Sequence, residues 1–512
     1  MVSCEKGLHW ARVISITALL ATGTASLPAG ATVITVDSPA DDLGLGPNGN
    51  CTLREALRAA NTNAPVDGCP AGTVGVVATD TITLPAGTYV LTAAGRYEDQ
   101  GLTGDLDVFD KVQIAGAGQA STVVDAAGID RVFHLRGTTV GLSNLTLRGG
   151  SAVEHGPEAG EEQAPMGGGL FVEFNAAVTL TDVTIQDNAA LDGGGIQNLG
   201  GTIDVVRCTI TENLAELDLT FTDFESGFSA GIGNDGPTAV VHVSDSTISA
   251  NTARLGGGGV SNAFFGLGGS MTIAGSTIHG NLALGAAASG FPWPPTGGAA
   301  GVLNDGPMTI TNSTISGNVA NPFTVPSSGG GIITGGDTTA AVFTMTNSTV
   351  TGNQSSSATA LLVNTGTVSL ANSLLQGSCG FLGATTMTSL GGNLESPGNG
   401  CRLTLASDIV NVADPKLGPL AANGGPTPTH ALLTGSPGLD KALAANCPAT
   451  DQRGTVRPQP TAGKCDIGAY EKTSTGCGTG SPALAFFPVA LVLSNRARSR
   501  RTRDASVDQR AS

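Results

Sequence analysis

Charged side chains are scarce in this 512-residue chain, at 13%, and aromatic ones scarcer still, at 4%. An ordinary globular domain carries about 25% charged residues, so the composition does not fit an average globular enzyme. There are 6 His and 9 Cys, and their spacing matches no zinc ligand set. No apolar run approaches the roughly 18 residues of a spanning helix, which excludes a bundle of membrane helices. Gly is abundant, at 75 residues, but does not recur at every third position, which excludes a collagen. Basic residues are few: 24 Lys and Arg against 41 Asp and Glu leave a net charge of −17. A surface of that sign repels nucleic acid, anionic lipid and unbridged polyuronates, so no nucleic-acid partner is expected. What is present is 40% apolar residues, enough for a core, in a Gly-, Thr-, Asn- and Ser-rich background that reads as all-β.

The two ends read as addresses. Lys6 and Arg12 precede the apolar run Val13 to Thr22, and small residues follow with cleavage expected after Ala25 or Ala31, the order of a secretory signal peptide over 1–31. At the other end Cys477, a Gly/Ser/Pro spacer and the apolar stretch Pro482 to Leu493 lead to Arg496, Arg498, Arg500, Arg501 and Arg503. Arg after an apolar stretch stops export. The order over 472–512 resembles the tripartite sorting signals of bacterial surface proteins, in particular the myxobacterial type, and implies outer-membrane or surface association. The alternative is a basic tail without a sorting role. Without these ends, the segment 32–476 is more acidic still.

An exported chain keeps disulfides. The sequence-near cysteines Cys51 and Cys69, Cys379 and Cys401, and Cys447 and Cys465 suggest three, although spacing does not fix connectivity. Cys208 is left over and reads as a small buried thiol stacked inside a strand.

From about 140 to 376 the chain repeats. One phrase is Thr-Ile-x-x-Asn, ending at Asn188, Asn213, Asn251, Asn281 and Asn318, with a Thr-Val variant ending at Asn353. A second phrase follows each: Gly194-Gly195-Ile196, Ala230-Gly231-Ile232, Gly258-Gly259-Val260, Ala300-Gly301-Val302 and Gly330-Gly331-Ile332. A third short alternating strand, such as Val240 to Val243, leads into the next unit. Three short strands per unit, with Gly and Asn at corners and no helical period, is the pattern of a right-handed parallel β-helix. Val, Ile, Leu and Met then face inward and Thr, Ser and Asp outward. The corner Asn residues are read as scaffold, bonding along the stack, with Gly supplying left-handed corners. A barrel or propeller would need hairpins or four strands per repeat.

These phrases resemble the GGI and FxxN repeats of the chlamydial polymorphic outer-membrane proteins. Before them, Cys51-Thr52-Leu53-Arg54-Glu55-Ala56 resembles the CSLREA motif of bacterial secreted β-helix proteins. Thr52 and Glu55 make a capping box, and Leu53, Ala56, Leu57 and Ala60 share a face, as in a helix that closes the open end of a solenoid. After them, Asp414 to Leu420, Asn423 to Thr427, His430, Asp451 to Gly454, Arg457-Pro458 and Cys465 to Glu471 resemble a choice-of-anchor Q domain, which implies a surface address. The expected organisation is a signal peptide (1–31), a cap with first coils (32–139), repeats (140–376), terminal coils with the anchor-like domain (377–471) and the tail (472–512).

Chemistry is less legible. A β-helix hydrolase needs paired carboxyls and a uronate lyase needs a base with Ca²⁺ or Arg, recurring on adjacent coils. No polygalacturonase or epimerase motif is present; Asp41-Asp42 lies before the cap, and His242 and His279 read as isolated. Asp105, Asp107 and Asp110 are spaced to offer oxygens to Ca²⁺, the one cofactor expectation, against a solvated strand edge. Insertions at 214–228, 283–298 and 320–328 should project from one side and carry Phe221, Phe224, Phe228, Phe291, Trp293 and Phe323, suited to sugar rings or a surface protein unless they fold back over the strands. His430, Asp440, Asp451, Arg453 and Asp466 read as a buried network holding an irregular cap. The functional expectation is a non-enzymatic surface protein that binds a glycan or another surface component. The alternatives are a polysaccharide lyase or glycoside hydrolase, and a purely structural envelope protein.

Overall fold

The computed structural model describes residues 30–473, apart from 43–47, 75–78, 97, 154–164, 219–225, 264–267, 286–297, 321–328, 336–340 and 462. The signal-like segment and the Arg-rich tail lie outside the described residues. Among the described residues no helix is long and apolar enough to cross a membrane.

One coil shows how the repeated phrases become walls. Strand Thr202–Val206 bends at Arg207 into Thr209–Thr211, turns at Glu212 and Asn213 into the two-residue strand Leu214–Ala215, and after an insertion runs through Ile232–Asp235. Each pairs in parallel with its counterpart one coil on: Thr202 with Val240, Thr209 with Thr247, Leu214 with Thr252 and Ile232 with Val260. The outcome is a right-handed parallel β-helix in which the described residues form a long sheet of 21 strands, a second of 10 and a narrow third of 6. Parallel pairing runs from Val33–Thr35 to Leu394–Ser396 and continues across residues 139 and 376. Alternation puts Ile203, Val205, Ile210 and Ile232 into the core at 0% exposure, as the period-2 pattern requires.

Side-chain ladders hold the coils in register. The Asn at each Thr-Ile-x-x-Asn corner donates its amide to the next Asn carbonyl: Asn188 to Asn213 at 3.0 Å, Asn213 to Asn251 at 2.9 Å, Asn251 to Asn281 at 3.0 Å, then Asn318 and Asn353 at 2.9 Å each. A second ladder joins Asn198, Asn234, Asn262 and Asn304 at the end of the Gly-Gly-Ile phrase. A third runs through Ser246, Ser276, Ser313, Ser348 and Ser373, each hydroxyl accepting the amide of the coil before. Cys208 occupies the same register: its N–H donates to Ser246 Oγ at 3.0 Å and its thiol to Val206 O. Among the described residues it is the one free cysteine, while Cys51–Cys69, Cys379–Cys401 and Cys447–Cys465 are disulfides.

Glycine has a different role from the one expected at the Asn corners. The residue before each ladder Asn is left-handed, but Asp187, Glu212 and Ala250 occupy it as well as Gly280, Gly317 and Gly352. Gly is needed instead in the second phrase. A Cβ on Gly195, Gly231, Gly259, Gly301 or Gly331 would meet the carbonyl oxygen of the next coil at 2.6, 2.2, 2.5, 2.4 and 2.5 Å. The first position of that phrase admits Ala230 and Ala300.

Helix α1 (Leu53–Thr62) covers the N-terminal end of the core. Thr52 and Glu55 form the capping box, and Leu53, Ala56, Leu57 and Ala60 are buried among the first coils. At the other end the chain after Leu394–Ser396 turns back. Its antiparallel strands Leu417–Ala421 and Thr429–Leu432 and the irregular stretch to 473 lie along the outer face of the coils. Thr277 Oγ1 donates to Pro428 O at 2.6 Å, Thr314 Oγ1 to Gln452 Oε1 at 2.6 Å, and Ala469 N to Thr349 Oγ1 at 3.0 Å. Outward threonines of the later coils are therefore buried, where alternation alone would leave them solvated. Leu374, Leu394, Leu432, Ala442 and Ile467 form a second apolar core beneath this segment.

Candidate functional site

The second sheet has an outward stack that is buried along its described length. In register, Asp107, His134, Phe171 and Gln197 give way to Gly233 and Ser261, then to Leu303, Ile333 and Leu362. Loop bases cover it. Phe228 is 9% exposed and packs with Ala299, Leu303, Ile333 and Leu362, so it covers strands and is not presented to a ligand. Phe221, Phe224, Phe291, Trp293 and Phe323 lie outside the described residues.

The polar end of that stack is built by the cap. Arg54, on the polar side of α1, is 1% exposed. It grips Asp41 at 2.6 and 3.2 Å and donates to the carbonyls of Gly101, Gly104 and Asp105 at 3.2, 2.9 and 3.0 Å. That clamp fixes the approach to strand Leu106–Val108, whose Leu106 and Val108 enter the core and whose Asp107 points out. Asp107 Oδ2 accepts from Gly101 N at 2.8 Å, and Asp107 Oδ1 lies 3.1 Å from His134 Nδ1 on the next coil. On the coil after, Glu173 Oε1 is 2.9 Å from His134 Nε2. The His134 ring stacks on Phe171 at 5.1 Å, and Arg131 sits over the same ring. Asp99 Oδ1 lies 4.0 Å from His134 Nδ1, and Arg136 spans Asp99 and Glu173 at 3.0 and 3.5 Å. A narrow crevice lined by Arg58, Asn61, Gln100 and Gly101 reaches Asp107.

The electrostatics follow from burial. Burial opposes the His134 imidazolium, but the facing carboxylates of Asp107 and Glu173 outweigh it and hold its pKa above the ordinary value. Burial also opposes the Glu173 carboxylate, and His134 and Arg136 overcome it, so Glu173 stays below its usual range. Asp105 lies 2.9 Å from Arg131, yet burial, with Asp130 and Asp107 nearby, pushes its carboxyl up to about 8.

The triplet expected from spacing is therefore divided. Asp105 pairs with Arg131 and Asp107 with His134. Asp110 faces α1, where its carboxylate accepts from Asn63 Nδ2 at 2.8 Å and from Lys111 N at 2.7 Å, so it cannot share an ion with the other two. Asp99 takes the place Asp110 was expected to fill: Asp99, Asp107 and His134 bring their ligand atoms within 4.8 Å of one another. Asp99, His134 and Glu173 escape sequence reasoning because they meet through coil register. The one available signal was Phe133-His134-Leu135, a polar residue between two core residues.

The other groups sort simply. His242 is exposed and bonds Thr272 Oγ1 at 2.6 Å; burial lowers the pKa of His279. His430 bridges Ser316 Oγ at 2.8 Å and Gly418 O at 2.7 Å. Arg453 binds Asp451 through two nitrogens at 2.9 and 2.7 Å and stacks on Tyr470. Asp466 accepts from Asp440 N and Lys472 N, both at 2.7 Å, which fits a network holding the terminal segment. Arg457 and Glu471, its most buried ion pair, were not anticipated.

The chain is thus a disulfide-bonded parallel β-helix closed by a helix at one end and braced by its own terminal segment. No protein-family model matches it, and no curated protein sequence is similar to it. Its fold is similar to that of several solved structures. The pectate lyase Pel9A aligns at 15% identity over 87% of this chain and 98% of that one, with a TM-score of 0.40. PfbA, a surface adhesin of Streptococcus pneumoniae, aligns at 12% over 71% and 92%, TM-score 0.33. The A-module of the Azotobacter vinelandii mannuronan C-5 epimerase AlgE4 aligns at 14% over 68% and 97%, TM-score 0.30. At these values the fold assignment rests on the strand register.

Proposed function

We propose that this is an exported, surface-associated β-helix protein that binds a glycan along the outer face of its long sheet. One observation carries the reading. Thr179, Asp204, His242, Thr272, Thr309, Thr344 and Ser369 lie in register on successive coils, exposed or half-buried. At about 4.8 Å per coil this is a straight stripe of short donors and acceptors roughly 30 Å long, suited to the hydroxyls of an extended polymer. The three disulfides, and the likeness of 51–61 and 414–471 to segments of bacterial surface proteins, support export and a surface address. The test is retention of the full chain on a polysaccharide panel. Thr272→Lys with Thr309→Lys should cut retention about tenfold, the loss of two modest hydrogen bonds. Retention on no glycan, or unchanged retention by the double variant, overturns the reading.

A second reading has its own observation. The carboxylates of Asp107 and Glu173 converge on His134 across three coils, the kind of alignment a β-helix lyase or hydrolase requires. New reducing ends or unsaturated products on the same panel, lost in His134→Gln, would favour it.

A further inference from the structure

We propose that Asp99, Asp107 and His134 form a binding site for one divalent transition-metal ion of the zinc class, with Glu173 orienting the histidine. The site stands apart from the glycan stripe, on a different sheet, and does not depend on that reading.

The first argument is distance. The three ligand atoms lie within 4.8 Å of one another, with His134 Nδ1 at 3.1 Å from Asp107 Oδ1 and 4.0 Å from Asp99 Oδ1. A tetrahedral ion with bonds of about 2.0–2.1 Å sets its ligands about 3.3 Å apart, so a small inward movement of Asp99 completes the set. Asp99 is the ligand able to move, with a third of its side chain exposed.

The second argument is independent of proximity. Asp107 and His134 are 1% and 2% exposed, and Asp107 Oδ1 and His134 Nδ1, an ion pair 3.1 Å apart, make no hydrogen bond to any other group. Two buried polar atoms with no other group to satisfy them are costly to keep inside a protein. An ion between them satisfies both, as a donor to neither and an acceptor for both lone pairs.

The third argument is the outer shell. Metal-bound histidines give their other ring nitrogen to a carboxylate, which fixes the ring. Glu173 Oε1 holds that place on Nε2 at 2.9 Å, and Arg136 in turn holds Asp99 Oδ2 and Glu173. Charge agrees: the carboxylates of Asp99, Asp107 and Glu173 all face His134. The imidazole nitrogen also selects the metal. Ca²⁺ takes oxygen ligands, whereas imidazole with carboxylates suits zinc and its neighbours. The Ca²⁺ expected from the aspartate spacing is thereby replaced by a softer ion. Three protein ligands leave the fourth tetrahedral position to a non-protein ligand.

The experiment uses the full chain, stripped with a chelator and titrated with Zn²⁺ by calorimetry, then with Co²⁺ by visible absorption. One equivalent should bind, and Co²⁺ should give a d–d band in the visible. His134→Gln and Asp107→Asn should abolish both signals, Asp99→Asn, at the half-exposed edge, should abolish the band without unfolding the chain, and Glu173→Gln should weaken binding about 10–100-fold. His279→Gln should leave both metal signals unchanged. No binding by the wild type, binding of Ca²⁺ in preference to Zn²⁺, or an undiminished band in folded Asp99→Asn overturns the site.

Discussion

At the scale of single residues, the most consequential side chain is Arg54, the largest fully buried one. Its charge answers Asp41, and its remaining donors satisfy three carbonyls that belong to no strand. Removing one partner of a buried pair leaves the other uncompensated, so Arg54→Ala should destabilise the chain by about 3–5 kcal/mol in chemical denaturation. A loss below about 1 kcal/mol would show that water replaces the clamp. Cys208 makes the opposite case. Burial pushes its thiol up to about 11, so at pH 8 Cys208 itself, read by peptide mapping, should stay unlabelled in the folded protein within the time that it is fully labelled in denatured protein. Cys208→Ser should stay within about 1 kcal/mol of wild type, because serine already fills that register on five later coils.

At the scale of the element, a coil is limited by two glycine rules that the sequence shows as one. In Gly259 the missing Cβ is a matter of space, with Gly301 O at 2.5 Å and Ile278 Cγ2 at 2.8 Å from where it would sit. Gly259→Ala should therefore cost roughly 1–3 kcal/mol, read as a fall in melting temperature. At the left-handed corner the matter is backbone angle alone: Ala250 has φ 55°, and its counterparts Gly280 and Gly317 have open space at the Cβ position. Ala250→Gly relieves about 1–2 kcal/mol of strain against a smaller entropy loss and should stabilise by about 1 kcal/mol. If both variants melt alike, the two corners are not distinct. The phrases Thr-Ile-x-x-Asn and Gly-Gly-Ile were legible because each residue in them answers a neighbour one coil away in the same register. Asp187, Glu212 and Ala250 were not, since an ordered Asn ladder imposes a left-handed φ that no local preference announces.

At the scale of the whole molecule, the segment from 414 to 473 braces coils up to 176 residues earlier, and Thr277 and Pro428 meet across 151. His430 is one of its pins. Burial holds its pKa below the ordinary value of about 6.5, with Gly418 O partly opposing. A folded value below the unfolded one means the folded state binds the proton less readily. The stability lent by the neutral ring is complete above about pH 6.5 and is lost as pH falls through the folded value. Asp466 and Glu471, raised by burial, act the other way, so a difference between variants isolates the histidine. Amide exchange over 414–473 should accelerate between pH 7 and pH 5 in the wild type, beyond the intrinsic change, and less so in His430→Gln. Equal exchange in both would mean that Thr277, Thr314 and Thr349 hold the segment without it.

The sequence by itself determined the solenoid, the helical cap and the scaffold role of the corner asparagines, and it suggested the three disulfides whose connectivity the structure fixed. All are repeated or local: period-2 alternation, a capping box four residues long, cysteines 18 to 22 residues apart. Only the tertiary structure decided which outward side chains are buried, because alternation separates inside from outside but says nothing of what later covers the outside. It also decided that His134 meets Asp107, Glu173 and Asp99 while Asp110 turns to α1. Residues close in sequence share a strand's two faces, whereas chemistry in a β-helix needs residues one coil apart, and the length of each insertion sets which those are.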